Sequence, residues 1–275
     1  MFFDESQLFL NIMIFVLGLC LGSFINVMAL RYVRGQDWIR QPSACYACGQ
    51  PLAWFQNLPV LGWLHHGGKA RCCGARLPIR YLVVELACGG IAVVSLLALG
   101  PEKALIYGIF ILINCVIFLT DLEAFIIPDF ASIGGAVIGG LAVLLLPRAG
   151  IELLPTPMQA LLGGLFGFGL LYSINFMYRI WRGHDGLGFG DVKLMGMYGV
   201  WLGAEAVLPI LFLAALLGAV SGIVLILMQK IPYLQPDGAA QKTAPALPFG
   251  CFLVPVALFW LFYGTQMALL IIPNL

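Results

Sequence analysis

The sequence predicts an all-α polytopic membrane protein of about eight transmembrane helices, with a cysteine-containing cytoplasmic insert after the first. Three observations predict it. With glycine counted and tyrosine left out, about 70% of the 275 residues are apolar, against ~45–50% in soluble domains. Only 10% are charged, and the apolar residues gather into runs of membrane-spanning length separated by polar punctuation. The 14 basic and 13 acidic residues leave a formal charge of +1, so no global field attracts nucleic acid, and the position of each charge matters more than the sum.

The runs fall near 8–30, 81–99, 104–120, 130–147, 157–178, 192–202, 205–228 and 249–272, the sixth being short. The first follows Asp4 and Glu5, lacks a basic leading segment and runs to Leu30 without a small-residue cleavage pattern, so it reads as a retained helix. Basic residues in short loops stay on the cytoplasmic side. Twelve of the fourteen lie in 31–80, around 179–193 or in 229–248, and eight spans bring those segments and the 121–129 turn to one face. Lys103 and Arg148 fall on the other face with both chain ends. The predicted division is an amino-terminal region, 1–100, holding two spans and the 31–80 insert, followed by a six-span region, 101–275. Residues 229–248, rich in Pro, Gly, Gln and Ala, read as a loop.

Ionisable groups at the edge of a span are expensive and are therefore functional candidates. Asp121 closes the third span and Asp191 opens the sixth, 70 residues later yet on the same predicted face. Two carboxyl groups that meet at one depth are what an aspartic protease needs, one ionised to activate water and one protonated to polarise the scissile carbonyl. Asp191 follows Gly186, Gly188 and Gly190, which places it at a helix N-cap. Gly188 and Gly190 lack Cβ atoms and would let an extended substrate approach. Asp129 and Glu123 read as a solvated acidic loop, with Pro128 starting the next helix. The rival reading is a transporter that uses Asp121 and Asp191 as a proton or cation relay, but no internal repeat is visible.

Cys45-Tyr46-Ala47-Cys48 and Cys72-Cys73 lie in a loop assigned to the reducing cytoplasm, where such cysteines read as metal ligands before disulfides. A structural zinc held by Cys45, Cys48, Cys72 and Cys73 would staple an insert too small for a self-sufficient core. Ala70 stands where a second Cys-x-x-Cys would have its first ligand, which leaves free or redox thiols as the alternative. Cys20, Cys88, Cys115 and Cys251 lie in spans and read as packing residues. His65, His66 and His184 have no ligand-like spacing and read as polar loop residues.

These residues carry a resemblance. Gly22-Ser23-Phe24-Ile25-Asn26-Val27 with Arg31, the cysteine insert, Arg80-Tyr81-Leu82-Val83-Val84-Glu85, Asp121 with Ile127-Pro128-Asp129, and Gly188-Phe189-Gly190-Asp191-Val192-Lys193-Leu194 together resemble the bifunctional type IV prepilin peptidases, Gly-x-Gly-Asp intramembrane aspartic proteases. The resemblance implies that Asp121 and Asp191 are the catalytic pair, with Gly188, Gly190, Pro128, Asp129 and Lys193 supporting substrate and loop. It implies cleavage of prepilin or pseudopilin leaders after a Gly, on the cytoplasmic side of the bacterial inner membrane. N-methylation of the new terminus from S-adenosylmethionine follows, associated with residues 1–100. No glycine-rich nucleotide fingerprint locates that cofactor. Asn26, Arg31, Arg80 and Glu85 are candidates for binding it or the substrate, and helix-end snorkelling explains them equally well.

Overall fold

A computed structural model describes residues 5–45, 47–146, 155–228 and 247–271. Most of the expected 229–248 loop, with Lys230 and Lys242, lies outside these residues, as does Arg148. Nine α-helices form among them: α1 Glu5–Val33, α2 Leu61–His65, α3 Arg80–Leu99, α4 Pro101–Ala124, α5 Asp129–Leu145, α6 Pro157–Arg182, α7 Phe189–Leu202, α8 Ala204–Leu227 and α9 Gly250–Ile271. Apart from the short α2, they occupy the eight predicted runs. Five of them, α1, α3, α4, α6 and α8, are long and apolar enough to cross a membrane. The chain divides into two compact units, Met1–Leu119 and Thr120–Leu275, so that α4 contributes its last turns to the second.

The helix ends follow from local sequence. At α6, Thr156 Oγ1 accepts the Gln159 N–H while Gln159 Oε1 accepts the Thr156 N–H at 2.9 Å, and Pro157 supplies a φ already suited to the first turn. Gly183 closes the same helix in the left-handed conformation, φ 81°.

In the first unit α1 lies against α3 through small residues. A Cβ at Gly18 would stand 2.8 Å from the Cys88 carbonyl oxygen, and one at Gly22 would stand 2.9 Å from Cys88 Cβ. In an apolar solvent such close backbone approach replaces the hydrophobic effect as the source of helix pairing. Ile25, Met28 and Ala29 of α1 pack with Val116 and Leu119 of α4, and Trp38 from the insert joins them.

The second unit is organised around its shortest spanning-position helix. α7 has 14 residues and is about 21 Å long, less than the ~30 Å hydrocarbon thickness. Its Val192, Leu194, Met195, Met197, Tyr198 and Trp201 are fully buried. α6 approaches it so closely that a Cβ at Gly199 would collide with the Gly163 backbone, and one at Gly167 with the Met195 carbonyl. On another side the Trp201 indole N–H donates to the Gly135 carbonyl of α5 at 2.8 Å. The outer faces carry Leu161, Leu165, Phe212, Ile223 and Leu227, all exposed, as a bilayer solvent favours. A buried helix of this kind is apolar on every side, which is why its sequence reads as a span although it is too short for one.

Candidate functional site

Asp121 sits in the last turn of α4 and is only 4% exposed. The helix stops because its carbonyl accepts the Phe125 N–H at 2.9 Å and Phe125 adopts φ 57°, a left-handed conformation that a non-glycine residue takes only where the surroundings impose it. Pro128 then caps α5, its carbonyl accepting the Ser132 hydroxyl and N–H. The first turn of α9 faces the Asp121 carboxylate: the Cys251 N–H donates to Oδ2 at 2.9 Å, and the Cys251 thiol is hydrogen-bonded to the same group. Gly250 makes room for it, since a Cβ there would lie 2.9 Å from Oδ2. The free N–H groups of a helix start are natural partners for a carboxylate.

Asp191 is not the N-cap that the sequence suggests. Gly188 takes that position and Asp191 is the third helical residue, 8% exposed, its N–H bonded to the Gly188 carbonyl at 3.1 Å. The glycines reserve space: a Cβ at Gly188 would meet Asp191 Oδ2 at 3.2 Å, and one at Gly190 would meet Ile127 Cβ at 2.9 Å. Ile127 also lies 3.3 Å from the Cβ position of Gly250. One isoleucine therefore bridges the two glycine-lined walls, and the charge of Asp121 acts on the Asp191 carboxyl group.

The glycine turn is held by a residue that sequence reasoning missed. Asn175 of α6, 9% exposed, accepts the Gly186 and Leu187 N–H groups on Oδ1, both at 2.9 Å, and donates from Nδ2 to Asp185 at 3.2 Å. A lone Asn within an apolar run was the available signal. Asn175→Ala leaves two backbone donors unpaired, and removing a buried partner costs about 1–3 kcal/mol. We expect it to lower kcat for peptide cleavage by about tenfold with little change in KM for a short substrate, measured on folded protein. Unchanged kcat would show that the loop needs no such anchor.

Lys193, from the same turn as Asp191, forms an ion pair with Asp129 at the start of α5. It also lies 5.3 Å from the Phe189 ring centre. Asp129 is exposed, so the pair adds little stability and serves to align two helix starts.

The four cysteines of the insert converge. Cys45 Sγ lies 3.8 Å from Cys73, Cys48 3.3 Å from Cys72, and Cys72 3.9 Å from Cys73, with all four sulfurs within 4.8 Å of one another. A tetrahedral zinc–thiolate site with bonds of about 2.3 Å has sulfur–sulfur edges of about 3.8 Å, so the set fits. Two similar turns build it: Gly49 N–H bonds to the Cys45 carbonyl and Gly74 N–H to the Ala70 carbonyl, and Cys45 and Ala70 bond to Gln50 and Ala75 in the same register. Ala70 thus occupies the position of Cys45, and Cys72 supplies the missing fourth sulfur from two residues further on. Burial opposes ionisation of Cys45, but the Cys48 and Ala47 N–H groups and the neighbouring thiols outweigh it and bring the group to about 7. The Cys48 and Cys45 thiols push Cys72 up to about 12. One thiolate is favoured and further ones repel it, so a full thiolate set needs a cation among them.

The remaining candidates divide. Arg31 donates to the Gln41 and Pro42 carbonyls at 2.7 and 2.8 Å, tying α1 to the insert. Glu85, 5% exposed in α3, accepts the Val60 N–H at 2.7 Å and the Ser23 hydroxyl. Asn26 is 1% exposed, and neither polar atom of its side chain has a partner among the described residues. Arg80 heads α3.

Fold and site define a multi-pass membrane protein carrying two buried carboxyl groups at helix ends and a four-thiol cluster in its first unit. The chain belongs to the type IV leader peptidase family. Residues 108–223 match the family model of that description, and residues 16–99 match the bacterial peptidase A24 N-terminal domain. A Klebsiella pneumoniae protein named prepilin leader peptidase/N-methyltransferase is 30% identical over 213 residues, 74% of this chain and 89% of its own length. Proteins of the same name from Burkholderia pseudomallei strain K96243 (29% over 287 residues, 93% and 86%) and Myxococcus xanthus (32% over 219 residues, 78% and 63%) are also similar. No solved structure matches significantly.

Proposed function

We propose that Asp121 and Asp191 are the catalytic pair with which this enzyme cleaves the leader peptide of type IV prepilins or pseudopilins, before methylating the new amino terminus. The observation that carries this reading is the meeting of two buried carboxyl groups, one supplied with a backbone donor by Cys251, between walls kept open by Gly188, Gly190 and Gly250. Two such groups sharing one proton perform the reaction in sequence. The ionised carboxylate takes a proton from water as it attacks, the protonated partner donates toward the carbonyl oxygen, and the proton returns to the leaving amine. Pro128, Asp129 and Lys193 fix the rim. Family membership supports the peptidase and methyltransferase activities; nothing favours a transporter.

The methyl carbon comes from S-adenosylmethionine, with the methyltransferase assigned to residues 1–100 and the peptidase to 101–275. Cys45, Cys48, Cys72 and Cys73 hold a structural zinc. The concentration of Lys and Arg in 31–80, 179–193 and 229–248 supports a cytoplasmic active site in the bacterial inner membrane. Incubating the purified protein with a prepilin, with and without S-adenosylmethionine, and weighing the products tests the whole reading. Loss of the leader and gain of one methyl group are expected; an intact prepilin would overturn it.

A further inference from the structure

The insert between α1 and α3 presents an apolar ridge. Phe55, Leu58, Leu61 and Leu64, from the 3₁₀ turn Trp54–Asn57, the residues after it and α2, are all exposed, and with His65 they line one surface depression. Large apolar side chains gathered on the surface of so small a segment mark a contact with something other than water.

Two hydrogen bonds fix the depth of this ridge. The Val60 N–H, one residue before α2, donates to Glu85 at 2.7 Å, and the Ser23 hydroxyl donates to the same carboxyl group. At 1.5 Å per residue, Glu85 lies about 7.5 Å inside the start of α3 at Arg80, and Ser23 about 15 Å before the end of α1 at Val33. Val60 therefore lies back alongside the two helices rather than beyond their ends. At that level Phe24 of α1 and Val83 and Leu86 of α3 are exposed apolar residues. α3 has 20 residues and is about 30 Å long, the thickness of the hydrocarbon, so the level of Glu85 is the boundary between headgroups and acyl chains. A backbone N–H carried there needs a partner within the protein. Val60 has one in Glu85, and holds it at φ 61°, a conformation that is costly for a β-branched residue. Backbone strain of this kind persists only where the surroundings impose it.

We infer that α2 and the turn before it form an interfacial anchor, in which Phe55, Leu58, Leu61 and Leu64 enter the boundary of the bilayer and the occupant of the ridge is lipid. The ridge continues the lipid-facing surface of α1 and α3. Charge agrees with it: residues 31–80 carry seven Lys and Arg against a single acid, Asp37, which suits anionic headgroups. The anchor holds the insert at the helix ends instead of leaving it free in water. It depends on neither the acid pair nor the methyl-donor assignment.

Photo-cross-linking of the full-length protein tests it, in nanodiscs of equal parts phosphatidylcholine and phosphatidylglycerol. The probe, p-benzoylphenylalanine, replaces Leu61 or Leu64, with Gln50, exposed beside the thiol cluster, as the control position. Lipid adducts at 61 and 64 should exceed those at 50 by about tenfold, as the contrast between a buried apolar face and a solvated one requires. Equal yields at the three positions would overturn the anchor, as would an absence of lipid adducts at 61 and 64. So would transfer of the label from lipid to an added prepilin, which would make the ridge a docking face for substrate. Should the variants at 61 and 64 fail to assemble, the probe at Phe55, whose shape it nearly keeps, decides: lipid adducts there support the anchor and their absence overturns it.

Discussion

Asp121→Asn and Asp191→Asn should each lower prepilin cleavage by on the order of 10³-fold or more, the loss expected when one member of a cooperating acid–base pair is removed. Both substitutions keep side-chain volume, and an asparagine at 121 still accepts the Cys251 N–H on its amide oxygen. Helical content and thermal stability in detergent should therefore change little, and the loss is chemical. A single Asn cannot exchange a proton with its neighbour, so neither variant should be rescued by a change of pH. Because the methyltransferase is assigned to residues 1–100, apart from the acid pair, both variants should still methylate a synthetic pre-cleaved pilin terminus. Near-normal cleavage in either variant would exclude that residue and turn attention to Asp129 or Glu123. Loss of methylation in both folded variants would contradict two separate sites.

The spans were legible because a bilayer imposes length and hydropathy on each helix independently of its neighbours. The catalytic candidates were legible for a related reason: a carboxylate beside an apolar run has few explanations. What stayed hidden depends on pairs distant in sequence. Nothing local in Leu247-Pro248-Phe249-Gly250-Cys251 announces that its N–H groups face Asp121, and Cys251 read as a packing residue in a span. The contact of Gly163 with Gly199 likewise needs both helices in place before either glycine has a reason. His66 read as a polar loop residue, yet its ring Nε2 is buried and has no hydrogen-bond partner among the described residues. The cysteine cluster was half legible. Its sulfurs were countable, but the shared turn register that puts Ala70 in the place of Cys45 shows only in the backbone hydrogen bonds.

That register gives the second large effect. The insert, residues 31–80, contains one five-residue helix, a single short turn of 3₁₀ helix and two isolated bridges among its described residues, with little apolar core to offset the entropy of ordering it. A zinc–thiolate site supplies on the order of 10 kcal/mol of folding free energy in such modules. A Cys45→Ser, Cys48→Ser double substitution should remove the metal, expose the insert to limited proteolysis and abolish methylation, while cleavage of a short peptide is impaired much less. Protein purified without added zinc should carry about one zinc per chain, and the double variant none. Cys72→Ala alone should lower metal affinity by on the order of 10- to 100-fold or more, judging from the smaller losses caused by disturbing groups around a site. Adding Ala70→Cys to that variant should restore it, because position 70 stands in the same turn position as Cys45 and completes a regular pair with Cys73. Failure of that rescue would mean the two turns are alike in hydrogen bonding but not in where they aim a sulfur. A metal-free wild-type protein with full cleavage and methylation would remove zinc altogether, leaving the Arg31 bonds to Gln41 and Pro42 and the Glu85 bond to Val60 as the ties that hold the insert to its helices.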